Sequence, residues 1–363
     1  MIAAGGTGGH LFPAEALAAE LLARGERVVL LTDARSSAAK SAVFQRCEIH
    51  VVPSAGVAGH SFARALRGAW AIMKGAWLAR RILAPLAPSI VVGFGGYPSV
   101  APMLAARSLG HRPVLILHDQ NAVLGKANAL LARICDRIAL SFAATEGLPK
   151  ARQGVLTGNP VRPAIVARAS APYAAPTGRI NLFVFGGSLG ATAFATLIPA
   201  ALMLLPDELR KRIDLTMQCP ASVLEQARPA LVAAGLTPVL APFFENMAEL
   251  LGNAHLVVSR SGGSTVAELA VVGRPAILIP LRINEDQRAN ALALVAAGGA
   301  VHVPQSEGAT ALAVAMEKLL NDPGRLVTMA AAAGRMGITD AAVRLAAMVK
   351  DAASAADISG VRA

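Results

Sequence analysis

Short apolar segments that end in glycine-rich turns recur along the chain. The first, Met1–Ala4, runs directly into the turn Gly5-Gly-Thr-Gly-Gly9. We expect an amphipathic helix from about Pro13 to Arg24 and a second strand over Arg27–Leu31. This order of elements is typical of the start of a doubly wound parallel domain. A first strand of four residues is short, since about 5–6 are usual, so we expect natural residues before Met1.

The same order of elements returns in the second half of the chain. A predicted strand over Arg179–Phe185 precedes the glycine turn Gly186–Ala191 and another helix. Between the halves, Pro160–Gly178 is rich in proline and alanine, as linkers often are. The pattern predicts an α/β fold with two Rossmann-like domains facing a central cleft, where ligands bind at the carboxyl ends of the strands. The last helix, about Ala341–Ala353, fits either domain.

The composition excludes a membrane-spanning helix and a disulfide framework. Apolar residues make up 54% of the 363 residues, but the long uncharged stretch Ile82–Ala106 is interrupted by prolines and glycines. The three cysteines are widely spaced, which suits a reducing cytoplasm. The N-terminus shows no signal-peptide pattern. We therefore expect a soluble protein.

The net charge of +11 is concentrated in one region, because no acidic residue lies between Glu48 and Asp119. Within it, the predicted helix Ser61–Ile82 carries an apolar stripe with basic residues between. The stripe consists of Phe62, Leu66, Trp70, Met73 and Trp77, and the basic residues are Arg64, Arg67, Lys74, Arg80 and Arg81. Such a stripe is usually core, yet tryptophans among basic residues also indicate an interfacial helix on an anionic membrane.

The turn before His10 places main-chain N–H groups and a helix start where an anion can bind. It does not match G-x-G-x-x-G, although Asp33 after the second strand keeps dinucleotide binding open. A tight turn also needs glycine for purely structural reasons. Further along, the strand Val114–Leu117 leads into His118-Asp-Gln-Asn121, which we expect to face a cleft, or else to form a polar turn satisfied by its own backbone.

Two polar segments in the second half follow predicted strands. In Arg260–Glu268, the residues Ser264 and Glu268 share one helix face, so a carboxylate there could bind ribose hydroxyls. Alternatively, Thr265 and Glu268 form a capping box. The polar cluster Asn284–Asn290 follows the strand Ala276–Pro280, and in isolation it is typical of a solvated helix start. No Asp-x-Asp, Walker A or His-Glu-x-x-His motif occurs.

Taken in order, these segments resemble the MurG family of bacterial glycosyltransferases in the GT-B superfamily. The matching segments are Gly5–His10, Gly95-Gly-Tyr97, His118–Asn121, Gly158-Asn-Pro-Val-Arg162, Gly186–Ala191, Phe243–Met247, Arg260–Glu268, Asp286-Gln287 with Asn290, and Asp340–Ala342 with Arg344–Ala346. Each segment alone is a weak signal, whereas nine in order at fitting spacing are a strong one. The chain differs from the usual family pattern at Leu189, where glutamine is usual, and at Asp119, where glutamate is usual.

The resemblance implies that the two domains bind different ligands. Residues 1–162, with a final helix of about 340–355 crossing back, would bind the acceptor and the membrane, and residues 163–339 would bind UDP-GlcNAc. The implied reaction is inverting transfer of GlcNAc to the MurNAc C4 hydroxyl of lipid I, which gives lipid II for peptidoglycan synthesis, cell shape and division. The resemblance implies a peripheral protein at the cytoplasmic face of the inner membrane. Other cell-wall synthesis proteins are implied partners, and nucleic acid is not.

The resemblance also implies roles for individual residues. Its donor-binding positions are Thr7, Gly8, Gly9, Asn121, Arg162, Ser188, Phe244, Gly263, Ser264, Thr265, Val266, Ala267, Glu268 and Gln287. For the general base we favour His10, with Asp119 or His118 as substitutes. Helix starts after Gly190 and Gly262, with Arg162, would stabilise the UDP leaving group without a metal or other cofactor.

Four other functions are alternatives to this predicted transferase activity. Within the GT-B class, they are a UDP-GlcNAc 2-epimerase and a glycolipid glycosyltransferase with another acceptor. Outside it, an NAD-dependent oxidoreductase would need the missing G-x-G-x-x-G motif. A non-catalytic membrane-recruitment subunit would have no use for the polar segments from Arg260 to Gln287.

Overall fold

The computed structural model describes residues 1–6, 8–54, 62–169, 171–187, 190–282 and 284–358, and the side chains of 62–67, 69 and 356–358 are not described. The chain divides into two compact units. The first contains Met1–Arg162 and the C-terminal residues from Asp340, and the second contains Pro163–Thr339.

The first unit is built on a parallel sheet, in which seven strands are described. They are β1 (Ile2–Ala3), β2 (Val29–Thr32), β3 (Glu48–Val51), β4 (Ile90–Gly93), β5 (Val114–Asp119), β6 (Arg137–Leu140) and β7 (Val155–Leu156), in the spatial order β3-β2-β1-β4-β5-β6-β7. The strand β5 is longer than the sequence predicts, because His118 and Asp119 still pair with Ala139 and Leu140 of β6.

Helices cover both faces of this sheet. The helices are α1 (Gly8–Ala23), α2 (Phe62–Leu86), α3 (Gly96–Arg107) and α4 (Lys126–Leu131). The prediction that α1 begins near Pro13 is wrong by five residues. The turn is completed by Gly5 and Gly6, the latter with φ of +75°, so the chain is already helical at Gly8.

The second unit repeats the architecture with a parallel sheet of six described strands. They are β8 (Ile180–Phe185), β9 (Ile213–Gln218), β10 (Val239–Ala241), β11 (Leu256–Ser259), β12 (Ala276–Leu278) and β13 (Ala300–His302), ordered β10-β9-β8-β11-β12-β13. The helices are α5 (Pro163–Val166), α6 (Phe194–Met203), α7 (Asp207–Arg210), α8 (Ala221–Ala233), α9 (Met247–Asn253), α10 (Gly263–Val272), α11 (Glu285–Ala296), α12 (Gly308–Leu320) and α13 (Pro323–Met336). The predicted α/β class with two Rossmann-like sheets is confirmed.

The final helix, α14 (Ala341–Ile358), packs on α1 in the first unit. Its Leu345 and Ala346 are fully buried in the core between α1 and the sheet. A second core, on the opposite face of this sheet, receives Ala79 and Leu83 of α2. Because parallel strands are buried on both faces, each unit needs helices on both sides.

Candidate functional site

The glycine turn of the first unit is held by Asp33. The main-chain N–H of Gly6 donates to Oδ1 of Asp33 at 2.7 Å, while Oδ2 accepts from Arg35 Nε at 2.7 Å and from Ser54 Oγ at 3.1 Å. A Cβ at Gly5 would lie 2.7 Å from Asp33 Oδ1, so glycine is required there. The carboxylate of Asp33 therefore supports the loop, and this structural role disfavours the dinucleotide-binding alternative.

The residues after this turn form the first turn of α1. Gly8, Gly9 and His10 lie at the helix N-terminus, where the helix dipole and main-chain N–H groups favour an anion. Thr7, the remaining predicted loop residue, lies outside the described residues. The geometry of Gly8 and Gly9 thus fits the predicted contact with a diphosphate.

His10 is half-buried and its ring is oriented by main-chain and side-chain oxygens. Nδ1 lies 2.9 Å from the carbonyl oxygen of Phe94 and 3.0 Å from Oε1 of Gln120. A carbonyl oxygen only accepts hydrogen bonds, so the neutral ring carries its proton on Nδ1. The basic lone pair is therefore on Nε2. The main chain at Gly96 lies so close to this nitrogen that an added Cβ would be 3.1 Å from it.

His118 is fully buried, in contrast to the expectation that it faces a cleft. Its Nε2 donates to the carbonyl oxygen of Gly158 at 3.0 Å, and its Nδ1 accepts from Gln120 Nε2 at 3.0 Å. Burial lowers the pKa of His118 to about 4, with the hydrogen bond to Gly158 opposing the shift. The ring is therefore neutral near pH 7.

Asp119 is likewise fully buried. Its Oδ1 accepts from the main-chain N–H of Asn121 at 2.7 Å, and its Oδ2 accepts from Nδ2 of Asn128 at 2.7 Å. These contacts position Asn121, which is half-buried and is the predicted donor-sugar contact. Three of the four polar residues in this segment are buried, because they satisfy one another and nearby main-chain groups.

Arg162 ends the first unit and contacts α1. Its guanidinium carbon lies 4.3 Å from the ring centroid of Phe12, two residues after His10. A guanidinium that lies over an aromatic ring is restrained there by the cation–π attraction. The predicted diphosphate-binding arginine is thus close to the start of α1.

The glycine turn after β8 differs from the prediction. The following helix, α6, begins at Phe194 and not directly after Gly190, because the chain first forms an additional turn. Within the turn, the N–H of Gly186 donates to Gln218 Oε1 at 3.0 Å, and a Cβ at Gly186 would lie 2.2 Å from the Ala191 nitrogen. Ser188 and the atypical Leu189 lie outside the described residues.

The helix α10 begins at Gly263, with Gly262 as its N-cap. This start makes the capping-box interpretation of Thr265 and Glu268 wrong, since Thr265 already lies inside the helix. Both side chains are nonetheless buried, at 7% and 6% exposure. Of the other predicted residues in this segment, Gly263 and Val266 are buried, and Ser264 and Ala267 are half-buried.

The start of α11 is tied to the loop before α10. Asn284 caps α11 by accepting from the N–H of Gln287 at 3.2 Å, and Gln287 Oε1 accepts from the N–H of Leu281 at 3.1 Å. The carbonyl oxygen of Gln287 accepts from Ser261 Oγ at 2.8 Å, while Asn290 donates to the Ser261 carbonyl at 3.1 Å. These bonds bring the predicted GlcNAc contact, Gln287, next to the start of α10.

Phe244 lies in the loop between β10 and α9. Its half-buried ring packs edge-on against Phe183 of β8, with centroids 6.1 Å apart. This contact packs the loop residue whose main chain we predict to meet the uracil against β8.

The helix α2 presents an exposed aromatic and basic face. Trp70 is 62%, Met73 62% and Trp77 56% exposed. Lys74 Nζ lies 5.5 Å from the ring centroid of Trp70, and the guanidinium of Arg81 lies 4.8 Å from that of Trp77. Of the other predicted residues on this helix, Arg80 donates hydrogen bonds to Ser108. The structure does not describe the side chains of Phe62, Arg64, Leu66 and Arg67.

Two site components were not selected from the sequence as functional residues. Gln120 lies within a segment that the sequence does single out, but nothing in its spacing distinguishes it from its neighbours. The Phe94 carbonyl acts through the main chain, which sequence motifs do not reveal. Among the described residues, no group of three or more His, Cys, Asp or Glu could hold a metal ion. Within the same ranges, no helix has both the length and the apolarity needed to cross a membrane.

Comparison with known proteins identifies both units. Residues 1–140 match the glycosyltransferase family 28 N-terminal domain, and residues 181–345 match the glycosyltransferase family 28 C-terminal domain. The crystal structure of Acinetobacter baumannii MurG is similar with a TM-score of 0.76 and 29% identity, covering 97% of this chain and 98% of that one.

Curated relatives resemble the chain over nearly its whole length. A protein of Acidiphilium cryptum is 56% identical over 97% of this chain and 96% of its own. A protein of Granulibacter bethesdensis is 48% identical over 96% of this chain and 92% of its own. Both are named UDP-N-acetylglucosamine–N-acetylmuramyl-(pentapeptide) pyrophosphoryl-undecaprenol N-acetylglucosamine transferase.

Proposed function

The chain belongs to glycosyltransferase family 28, and on this basis we propose that it transfers GlcNAc from UDP-GlcNAc to lipid I, giving lipid II. The observation that carries the proposal is the 56% identity to a transferase of that name over 97% of the chain. This similarity favours the transferase over the epimerase, oxidoreductase and recruitment-subunit alternatives, and the fold is the GT-B fold of the MurG neighbour.

We propose that the second unit binds the UDP part of the donor. The first turn of α10 offers main-chain N–H groups at the positive end of the helix dipole, which suits a phosphate. Glu268, one turn further along, would accept hydrogen bonds from both ribose hydroxyls. The main chain at Phe244 would pair with the uracil, and Gln287 would contact the GlcNAc.

In the first unit, we propose that Gly8, Gly9 and Arg162 offset negative charge on the diphosphate, and that Asn121 contacts the donor sugar. Their role becomes larger as the bond to UDP breaks, because charge then accumulates on the leaving group. Main-chain N–H groups and an arginine supply this stabilisation from the chain itself. We accordingly expect transfer to continue in the presence of excess EDTA.

His10 is our proposed general base. The MurNAc C4 hydroxyl attacks the anomeric carbon of GlcNAc from the face opposite UDP, which inverts the configuration there. The hydroxyl proton passes to Nε2 of His10, the ring nitrogen that carries the lone pair. His118 and Asp119 are buried, so we assign them positioning roles behind His10 and Asn121.

We propose that the exposed face of α2, formed by Trp70, Met73 and Trp77 with Lys74 and Arg81, docks on anionic lipid at the cytoplasmic side of the inner membrane. Each basic residue near such a surface contributes about 1 kcal/mol. The aromatic side chains suit the interface between headgroups and acyl chains. Docking there brings the enzyme to its lipid-linked acceptor and to other cell-wall synthesis proteins.

Transfer assays with three donors test the function. Purified protein is incubated with lipid I and radiolabelled UDP-GlcNAc, UDP-GalNAc or UDP-Glc, and the lipid product is measured. We expect label in lipid II with UDP-GlcNAc and much less with the other donors. Absence of any transfer from UDP-GlcNAc, or release of free sugar without lipid II, would contradict the proposal.

A further inference from the structure

A single buried amide connects the two histidines of the first unit. Gln120, 2% exposed, directs Oε1 at His10 Nδ1 over 3.0 Å. Its Nε2 lies 2.8 Å from the Phe94 carbonyl oxygen and 3.0 Å from His118 Nδ1. Because an amide has a donor end and an acceptor end, these partners fix which end faces His10.

The direction of the network is set at its far end by Gly158. The Gly158 carbonyl oxygen can only accept, so His118 carries its proton on Nε2, which lies 3.0 Å away. His118 Nδ1 is consequently an acceptor and receives an N–H from Gln120. Burial holds the pKa of His118 at about 4, so this nitrogen stays an acceptor near neutral pH.

We propose that Gln120 is a positioning residue that, together with His118, holds His10 in the tautomer whose Nε2 accepts a proton. The inference rests on the proposed function, in which His10 is the base. Gln120 acts only through the His10 ring.

The reversed amide is disfavoured at both ends. If Gln120 were flipped, its oxygen would face the Phe94 carbonyl and His118 Nδ1, which are both acceptors, and its NH₂ group would face the N–H of His10. Such opposed pairs in a buried site forfeit their hydrogen bonds. The fixed amide therefore reinforces the Phe94 carbonyl in keeping the proton of His10 on Nδ1.

The same arrangement stabilises the product of proton transfer. When Nε2 takes the hydroxyl proton, the ring becomes an imidazolium whose Nδ1–H already has two acceptors, the Phe94 carbonyl and Gln120 Oε1. The neutral amide accepts a hydrogen bond without competing for the proton. Gln120 thus contributes to the rate of transfer more than to donor binding.

Kinetics of matched variants test the role of Gln120. For Gln120→Leu we expect kcat to fall about tenfold or more with KM for UDP-GlcNAc within about twofold of wild type, since only base catalysis is impaired. Gln45→Leu, at an exposed amide of the same unit, is the control and should keep wild-type kcat. A Gln120→Leu protein with wild-type kcat would overturn the inference.

A pair of His118 variants separates positioning from packing. In His118→Asn, Oδ1 replaces ring Nδ1 as the acceptor for Gln120, whereas His118→Leu offers no acceptor. We expect His118→Asn to retain a kcat about fivefold or more above that of His118→Leu. Equal kcat values for the two variants would contradict the inference.

The tautomer of His10 can be read directly by long-range proton–nitrogen NMR correlations in the full chain. We expect the proton on Nδ1 in wild type and a detectable population on Nε2 in His118→Leu. Wild-type protein that makes lipid II but carries the proton on Nε2 of His10 would overturn the inference and leave the function intact. This measurement on wild type decides the question even if a variant fails to fold, whereas wild type that makes no lipid II overturns the proposed function.

Discussion

Asp119 and Asn128 form a buried pair in which Asn128 Nδ2 donates to Asp119 Oδ2 at 2.7 Å. The other carboxylate oxygen accepts from the Asn121 main chain at 2.7 Å. The pair connects the end of β5 to α4, and Gly95 packs against it so closely that an added Cβ would lie 2.5 Å from Asn128 Nδ2. These two hydrogen bonds of Asp119 hold the main chain that leads to Asn121.

Replacing this carboxylate should destabilise the fold. In Asp119→Asn, one oxygen becomes an NH₂ group facing another donor, so we expect the free energy of unfolding to fall by about 1–3 kcal/mol. Urea unfolding of this variant and of Asp351→Asn, at an exposed position, measures the difference. Equal midpoints for Asp119→Asn and wild type would show that the buried pair adds nothing to stability.

Glu268 tests the proposed nucleotide site of the second unit. Glu268→Gln keeps the side-chain volume but replaces one acceptor oxygen with a donor, so one ribose hydroxyl loses its partner. We expect UDP to bind about tenfold more weakly by titration calorimetry. The exposed Glu307→Gln serves as the control and should bind like wild type. A Glu268→Gln protein with an unchanged Kd would remove Glu268 from the ribose site.

The exposed face of α2 predicts a lipid-dependent affinity. Trp77→Ala removes a large apolar side chain from the proposed membrane contact, so we expect the partition coefficient onto phosphatidylglycerol vesicles to fall about tenfold. Leu204→Ala is a matched control, because Leu204 and Trp77 are both 56% exposed. If the two variants sediment equally with vesicles, or if wild type binds phosphatidylcholine as strongly, the docking face is elsewhere.

Buried His118 predicts a dependence of stability on pH. Its pKa in the folded chain is about 4, below the ordinary 6.5, because burial disfavours the charged ring. The unfolded chain therefore binds the proton first as the pH falls, and stability decreases between these values by up to about 1.4 kcal/mol per pH unit. Well above pH 6.5 the His118 ring is neutral in both the folded and the unfolded chain, so its contribution to stability is constant.

The comparison with His118→Asn isolates this effect, because asparagine does not titrate. We expect the difference in unfolding free energy between wild type and variant to be flat above neutral pH and to shift against wild type in acid. Parallel stability curves for the two proteins down to about pH 5 would refute the assignment of a neutral buried ring.

The sequence predicted the order of elements better than their ends. Alternating apolar runs and glycine turns identified both Rossmann-like sheets, because buried parallel strands and tight turns leave strong local patterns. The start of α1 was misplaced because glycines fit a turn and a helical first turn equally well, and the start of α6 was misplaced because an additional turn precedes Phe194. Such boundaries depend on packing that local sequence does not encode.

The site was predictable at the level of residue type but not of role. The segment from His118 to Asn121 stood out as polar after a strand, yet its burial follows from mutual hydrogen bonds among Gln120, Asn128 and main-chain carbonyls. Some of the partners are far apart in the sequence, since Gly158 lies 40 residues from His118 and Phe94 lies 26 residues from Gln120. Their pairing therefore becomes visible only in the folded chain.

The role of His10 as the base is tested most directly by measuring GlcNAc transfer to lipid I by His10→Ala alongside its affinity for UDP-GlcNAc. We predict that kcat falls about 10²–10⁴-fold, because the hydroxyl proton loses its acceptor, while Kd for UDP-GlcNAc stays within about twofold of wild type. A His10→Ala protein that binds the donor normally and still makes lipid II at a near wild-type rate would contradict this account.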